Sequence, residues 1–388
     1  MTLTHWNYPT SISVGEGALA TLADHCRRLH IQTPLLVTDP FLADLDIVKS
    51  TVACCAERGI DITIFSGVQG NPTDENVSNG IDAYNAKNHD GIIAYGGGSS
   101  LDAAKAIALC AKQTLPLWSF EDIGDNWTKA DDRQIAPVIA IPTTAGTGSE
   151  VGRASVITDS YNHTKKIIFH PKMMPVQVLL DPLTTIDLPS HITAATGMDA
   201  LSHSLEAFCA PSYHPMADGI ALESMHLIKR YLYKAYIDGH DIDARTQLLV
   251  ASCMGATAFQ KGLGAMHALA HTLGGLYDKH HGLLNAILMP YVLQANRTQI
   301  EDKMLTLAQR LSLPSPGFDA VYDWVIDLRK TLGIPHTLAE IGIGQEDAVK
   351  IGELAFNDAA AGCNPIHFNS AQYTQLFLQA QTGDKTTS

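Results

Sequence analysis

The chain has 388 residues, of which 46% are hydrophobic and 17% charged, and its formal net charge is −14. This length favours two domains, and the composition is that of a globular protein rather than a disordered or fibrous one. The negative charge argues against nucleic acid or an anionic membrane as a partner, because both would repel the surface.

The first residues of the chain and its cysteines bear on its compartment. Met1–Trp6 has no basic stretch and no apolar core, so no signal peptide is expected. No apolar run reaches the roughly 20 residues of a membrane span. The seven cysteines include no Cys-x-x-Cys pair, which argues against a disulfide framework and thiolate zinc sites. We therefore expect a cytoplasmic protein.

The first half of the chain alternates short apolar runs with helix-period segments. Buried strands are predicted at Thr33–Thr38, Asp61–Phe65, Gly91–Tyr95 and Ala136–Ile141, and helices between them, for example at Val48–Arg58 and Asp74–Ala86. Strands separated by helices indicate βαβ units in a parallel sheet, which binds ligands at the carboxyl ends of its strands.

Two features follow predicted strands directly. Asp39 can accept hydrogen bonds from ribose hydroxyls and repel a 2′-phosphate, or it can cap the turn before Pro40. The turn Gly96-Gly97-Gly98-Ser99 opens a helix, so its bare backbone can bring a phosphate to the helix amides. Alternatively it is a tight turn in which Ser99 and Asp102 form a capping box. It lacks the G-x-G-x-x-G order of the standard Rossmann fingerprint.

The pattern changes after about Asp187, where helical periodicity replaces the strands. Helices are predicted at Met198–Ala210, Met216–Ile237, Arg245–Phe259 and Ile300–Leu311. Prolines at 182 and 189 lie at the boundary between the two patterns. The predicted fold is α/β, with an N-terminal Rossmann-like parallel-sheet domain over residues 1–187 and a C-terminal all-α domain over residues 188–388.

The helical half carries a dense group of possible metal ligands. Asp199 and His203 are four residues apart and project together from one side of a helix. His267 and His271 repeat this spacing, and His280 and His281 follow shortly afterwards. A carboxylate with several imidazoles suits zinc or iron(II) rather than calcium or magnesium. Periodicity alone does not decide which histidines bind.

The sequence resembles the iron-containing (group III) alcohol dehydrogenases over nearly its whole length. The family's two metal signatures are similar to the segment from Gly197 to His203 and to the segment from Gly264 to His271, which continues to His281-Gly282. The resemblance implies one divalent metal, Fe²⁺ or Zn²⁺, with the ligands Asp199, His203, His267 and His281. It places His271 beside the nicotinamide. Thr272 stands where the family usually has proline, a departure that affects the backbone more than the metal chemistry.

The resemblance also implies where NAD binds. The pyrophosphate loop corresponds to Gly96, Gly97, Gly98 and Ser99, with Asp102 toward the nicotinamide, and Asp39 favours NAD over NADP. A second family element resembles the segment from Pro142 to Glu150, whose Thr143, Thr144, Thr147 and Ser149 supply hydroxyls. Asn71 and Lys165 match further nucleotide-side positions of the family.

These expectations define an NAD-dependent alcohol dehydrogenase of dehydroquinate synthase-like architecture. A bound metal would lower the pKa of the alcohol, and hydride would pass to NAD. His271 is the candidate proton relay or an orienting group. The alternatives are a dehydroquinate synthase-type lyase, for which the helical half lacks a basic cluster, and a nucleotide- and metal-binding protein without turnover.

The substrate is the least determined part of the prediction. The resemblance implies pocket walls at 149–156, around Phe259 and at 358–367. A small primary alcohol, a diol or a hydroxy acid is expected, with Arg153 either attracting a carboxylate or serving a structural role. The family commonly forms dimers, so a homodimer is expected.

Overall fold

The computed structural model describes Tyr8, residues 10–162 and residues 164–384. Met1–Trp6, on which the expected lack of a signal peptide depends, lies outside the described residues. The described chain divides into two compact units. We call the one built from Tyr8–Thr144 and Gly148–Asp187 the α/β unit, and the one built from Ala145–Thr147 and the residues from Leu188 onward the helical unit.

The α/β unit contains a parallel sheet and a separate antiparallel pair. Its strands are β1 (Ser11–Val14), β2 (Leu35–Val37), β3 (Thr63–Phe65), β4 (Ile92–Gly96), β5 (Val138–Pro142), β6 (Ala154–Asp159), β7 (Thr164–Phe169) and β8 (Gln177–Leu180). The six-stranded sheet has the order β1-β8-β5-β4-β2-β3, with every pairing parallel. The predicted parallel sheet is therefore confirmed, and β2 to β5 correspond to the four predicted strands. The predicted burial of the second of these is wrong, because β3 is an edge strand and none of its residues is buried.

Five helices connect the strands of this unit. They are α1 (Leu22–Arg28), α2 (Pro40–Ala43), α3 (Asp46–Glu57), α4 (Asp74–Ala86) and α5 (Gly98–Cys110). Ten of the thirteen residues of α5 are buried, among them Leu101, Ile107 and Leu109. Burial on nearly all sides explains why the sequence of this helix is mostly apolar, with Asp102 and Lys105 as its charged residues.

The helical unit contains longer helices, as its sequence periodicity predicts. They are α6 (Ser190–Cys209), α7 (Pro215–Ile237), α8 (Ile242–Ala258), α9 (Ala265–Tyr277), α10 (His281–Arg310), α11 (Phe318–Thr331), α12 (Ala348–Phe356) and α13 (Ser370–Thr382). Sixteen of the 20 residues of α6 are buried, so α6 forms the centre of the unit. Within the described residues, no helix is long and apolar enough to cross a membrane.

Candidate active site

Three predicted cofactor positions lie at one edge of the parallel sheet. Strands β5, β4 and β2 are neighbours and run in the same direction. Their carboxyl ends therefore meet at one edge, which Asp39, the Gly96–Ser99 turn and Thr143 occupy. The Thr143 N–H donates to the Gly96 carbonyl at 3.0 Å. This bond joins the glycine-rich turn directly to the segment from Pro142 to Glu150, which is called the second loop below.

The glycine-rich turn leaves the start of α5 free of side-chain capping. Gly96 has φ 149°, and a Cβ atom there would lie 2.6 Å from the Ser100 Oγ. Gly97 occupies the N-cap position, and its helix receives no side-chain cap in the described structure. The first N–H groups of a 13-residue helix are thus presented as a phosphate site requires.

The capping box between Ser99 and Asp102, considered as the alternative for this turn, does not form in the described structure. The Asp102 carboxylate instead accepts hydrogen bonds from the Ser149 Oγ at 2.5 Å and from the Val156 N–H at 2.8 Å. Asp102 lies in the second turn of α5, where its side chain reaches a later loop rather than its own N-terminus. Two candidate cofactor residues, Asp102 and Ser149, are thereby held against each other.

The remaining cofactor candidates have local partners of their own. The Asp39 Oδ1 accepts the Leu42 N–H at 2.9 Å, so the capping alternative considered for Asp39 holds in the structure.

The candidates outside the sheet edge also have neighbours. Asn71 has φ 53°, and its Oδ1 accepts a hydrogen bond from the Lys165 Nζ at 2.8 Å. Thr144 lies beside Gly97, because a Cβ atom added at Gly97 would lie 3.5 Å from the Thr144 methyl group. Thr147 belongs to the helical unit.

In the helical unit, α6 presents three acidic or imidazole side chains on one face. Asp199, His203 and Glu206 follow one another at intervals of four and three residues. All three are buried, with 2%, 4% and 7% of their surfaces exposed. Polar groups are costly to bury without partners, so such a face indicates a site rather than a solvated stripe.

Two further helices bring their histidines to this face of α6. His267 lies in the first turn of α9, and His281 is the first residue of α10. One ligand atom from each of Asp199, His203, His267 and His281 lies within 4.8 Å of the others. A Cβ on Gly282 would lie 2.4 Å from the Ala195 carbonyl oxygen, so glycine allows the start of α10 to approach α6 closely.

The donor set of this cluster fits a divalent cation. The Asn285 Nδ2 lies 2.9 Å from the Asp199 Oδ1, 3.2 Å from the His267 Nε2 and 3.1 Å from the His281 Nε2. Asn285 thus lies beside three of the candidate ligand atoms. In the described structure the buried His203 Nδ1 has no hydrogen-bond partner. Imidazole nitrogen and carboxylate oxygen are the ligands that iron(II) and zinc prefer.

Burial and charge set the protonation of the two inner histidines. Burial lowers the pKa of His203 to about 4, so its imidazole is neutral near pH 7. Burial alone would lower the pKa of His267 as well, but the carboxylates of Glu206, Asp199 and Asp358 together outweigh burial and raise that pKa. The Glu206 Oε2 lies 2.7 Å from the His267 Nδ1.

His271 lies beside the cluster and has a carboxylate partner. Its ring stacks on that of His281 with centroids 5.3 Å apart. Its Nδ1 lies 3.1 Å from one oxygen and 3.3 Å from the other oxygen of Asp358. A carboxylate at Nδ1 holds the hydrogen there and leaves Nε2 as an acceptor.

One predicted pocket residue lies against the cluster. The ring centroid of Phe259 is 5.0 Å from that of His203.

The structure adds residues that the sequence reasoning missed. Glu206 completes a helical pattern with His203, and Asn285 follows His281 by four residues, so both could have been found from helical spacing. Asp358 was included only as the edge of a pocket segment, and no local signal links it to His271. His280, which had no assigned role, accepts the Leu283 N–H and caps α10.

Comparison with known proteins agrees with these observations over the whole chain. The model for iron-containing alcohol dehydrogenases matches residues 9–182, and that for the C-terminal part of the family matches residues 193–381. The chain belongs to the iron-containing alcohol dehydrogenase family. It is an oxidoreductase that acts on alcohols and uses NAD and a metal, as predicted.

Individual relatives are similar along their full length. The chain is 37% identical to 4-hydroxybutyrate dehydrogenase of Cupriavidus necator, covering 96% of this chain and 98% of the relative. It is 34% identical to NAD-dependent methanol dehydrogenase of Bacillus methanolicus, covering 94% and 96%. The crystal structure of a 1,3-propanediol oxidoreductase matches with TM-score 0.92 and 33% identity, covering 97% of this chain and all of that one. The predicted fold and enzyme class are confirmed, whereas the individual site residues stay predictions.

Proposed function

We propose that Asp199, His203, His267 and His281 hold the catalytic divalent metal of this alcohol dehydrogenase. The observation that carries the proposal is the convergence of their ligand atoms to within 4.8 Å in a largely buried site. The donor set supports it, because three imidazoles and one carboxylate suit iron(II) or zinc, and among the described residues the buried His203 Nδ1 has no hydrogen-bond partner.

NAD is proposed to bind along the sheet edge of the α/β unit. The uncapped amides at Gly97, Gly98 and Ser99 would meet the pyrophosphate, and Asp39 would accept from the adenosine ribose. The other candidates, which would contact the ribose, phosphate or nicotinamide parts, are Asn71, Gly96, Asp102, Thr143, Thr144, Thr147, Ser149 and Lys165. Their support is the direct joining of the turn with the second loop and of Asn71 with Lys165.

His271 is proposed to move the proton of the reaction. When bound, the metal supplies Lewis acidity toward the alcohol oxygen and NAD supplies the hydride acceptor. With its Nδ1–H donated to Asp358, His271 presents the lone pair of Nε2, which would accept the proton lost by the alcohol. The stacked His281 ring restricts rotation of the His271 ring.

The proposed substrate is a short primary alcohol that carries a carboxylate, 4-hydroxybutyrate being the first choice. The relative named for this substrate is 37% identical to the chain. Arg153 supplies a cation in the segment 149–156, and its guanidinium lies 5.5 Å from the centroid of the Phe169 ring. Among the ion pairs of the described residues, no carboxylate pairs with Arg153, so its charge is available to a substrate.

A substrate panel tests the function. Metal-loaded protein is mixed with NAD and, separately, with 4-hydroxybutyrate, 1,4-butanediol, 1-butanol and methanol, and NADH absorbance is followed. We expect the highest kcat/KM with 4-hydroxybutyrate. Equal kcat/KM for 4-hydroxybutyrate and the diol contradicts the carboxylate preference. A lack of turnover with every alcohol, and with NADH and the matching aldehydes, contradicts the catalytic proposal itself.

Arg153→Gln tests the recognition of the carboxylate. We expect kcat/KM for 4-hydroxybutyrate to fall roughly tenfold or more, as is typical when one partner of a charged hydrogen bond is removed, with 1,4-butanediol unaffected. Arg153→Lys is the matched control, because it keeps the charge. An equal fall with both substrates indicates a structural role for Arg153.

A cytoplasmic homodimer is part of the proposal, supported only by the composition and the family. Size-exclusion chromatography with light scattering tests the dimer, and a monomeric mass contradicts it.

A further inference from the structure

The start of α9 is held by side chains from outside that helix. The Glu206 Oε2 accepts the Gly264 N–H at 2.8 Å, and its Oε1 accepts the Met266 N–H at 2.7 Å. The Asn364 Oδ1 accepts the intervening Ala265 N–H at 3.1 Å. Three consecutive N–H groups at a helix start, which no residue of the same helix satisfies, are thus capped. A negative charge at this end is also favoured by the helix dipole.

Glu206 differs from Asn364 because it also contacts a proposed metal ligand. Its Oε2, already shared with Gly264, lies 2.7 Å from the His267 Nδ1. Because two backbone N–H groups donate to the carboxylate, the carboxylate acts as a hydrogen-bond acceptor. The imidazole must therefore donate to it, with its hydrogen on Nδ1. The Nε2 of His267 then carries the lone pair, and this atom is the one near Asn285 within the cluster.

We propose that Glu206 is a positioning residue that sets both the tautomer of His267 and the place of α9 relative to α6. One carboxylate thus joins the helix with Asp199 and His203 to the helix with His267 and His271. Carboxylates that accept from the far nitrogen of a ligating imidazole fix its orientation and raise its basicity. The inference rests on the proposed function, because it requires His267 to be a ligand.

The chemistry of an amide at this position makes the test specific. In Glu206→Gln one oxygen becomes an NH₂ group. If this group faces Met266, two N–H donors oppose each other. If it faces His267, it donates to Nδ1 and forces the hydrogen onto Nε2, where no metal can bind. The first arrangement weakens metal binding by displacing the start of α9, and the second does so through the tautomer of His267, whereas the size of the side chain is unchanged.

The experiment compares Glu206→Gln with Asn364→Ala, which removes a cap of the same helix. In the described structure Asn364 makes no hydrogen bond with His267. The affinity for Co²⁺ or Zn²⁺ is measured by competition with a chelator, together with the Co²⁺ absorption spectrum and the Tm of the metal-free protein. We expect about 10–100-fold weaker metal binding and an altered spectrum in Glu206→Gln. Asn364→Ala should lower Tm with far less effect on affinity.

Two outcomes overturn the proposal separately from the metal site. If Glu206→Gln and Asn364→Ala lose equal metal affinity, Glu206 acts only as a cap of α9. Wild-type affinity in Glu206→Gln excludes the role altogether, provided that Asp199→Ala loses the metal. If Asp199→Ala binds the metal as tightly as wild type, the ligand assignment itself is wrong.

A measurement on the wild-type protein avoids any dependence on how the variant folds. With ¹⁵N-labelled histidine in the metal-free protein, at a pH high enough to keep the imidazoles neutral, the signal of His267 is assigned by its loss in His267→Gln. We expect the Nδ1–H tautomer, and a hydrogen on Nε2 overturns the proposal.

Discussion

The two units present their candidate residues in different ways. In the helical unit the candidate metal ligands are side-chain atoms that converge from α6, α9 and α10. At the sheet edge of the α/β unit, the candidate phosphate-binding groups are backbone N–H groups at a glycine turn. The polar side chains there already have partners, such as Leu42 for Asp39 and Ser149 for Asp102.

This difference teaches where each unit tolerates change. A site of converging side chains is sensitive to the removal of one side chain, because the remaining ligands hold the metal more weakly. A site of backbone groups is sensitive to a change of backbone conformation, whereas each side chain contributes less. The following predictions, in order of decreasing effect, test this comparison.

Asp199→Ala should have the largest effect. Removing the only carboxylate of the proposed ligand set should abolish retention of the metal and lower kcat by on the order of 10³-fold, the equivalent of several kcal/mol of Lewis acid stabilisation. Elemental analysis measures the metal, and NADH fluorescence titration measures cofactor binding. Cofactor affinity should change little, since the proposed NAD residues lie elsewhere. Normal metal content contradicts the ligand assignment.

His271→Ala should slow turnover without loss of metal. We expect kcat to fall roughly 10²-fold, the lower range for a general acid–base group, with KM nearly unchanged. Asp358→Asn, which leaves the imidazole present but poorly oriented, should cause a smaller fall. Partial rescue of His271→Ala by added imidazole distinguishes proton transfer from a structural role. Metal loss in His271→Ala refutes the relay.

Gly96→Ala should weaken NAD binding through the backbone. The φ of 149° disfavours any L side chain, and the added Cβ would lie 2.6 Å from the Ser100 Oγ. Strain of about 1–3 kcal/mol in the turn predicts roughly tenfold weaker binding of NAD, read by fluorescence titration. Gly219→Ala is the control, as its Cβ would meet no atom within 4 Å. Unchanged NAD affinity in Gly96→Ala argues against the turn as the phosphate site.

Substitutions of Asp39 should have the smallest effect and separate its two roles. Asn keeps the cap on Leu42 but removes the charge, so Asp39→Asn should improve kcat/KM for NADP by roughly tenfold, without loss of stability. Asp39→Ala removes both the cap and the charge, so it should also lower the free energy of unfolding by about 1 kcal/mol. A denaturant titration and cofactor kinetics measure these effects. An unchanged preference for NAD in both variants leaves Asp39 as a cap only.

The strands predicted from the sequence are those with the strongest apolar signal. Strands β2, β4 and β5 are wholly buried, so their sequences read as uninterrupted apolar runs. Strand β1 at the sheet edge is half exposed, and β8 begins with the buried but polar Gln177, so neither pattern stood out. The pair β6 and β7 was also missed, because the buried face of β6 carries the polar Ser155 and Asp159, and only one residue of β7 is buried.

The sequence by itself determined the fold class and the ligand candidates, because helical periodicity and glycine turns are local properties of a chain. Four-residue spacing marks Asp199 and His203 as candidates, whereas the family resemblance selected the four ligands. The tertiary structure decided which distant groups meet: Asp358 with His271, Asn285 with three ligand atoms, and Glu206 with both His267 and the start of α9. Such pairings depend on how helices pack, and packing joins residues whose separation along the chain carries no periodic signal.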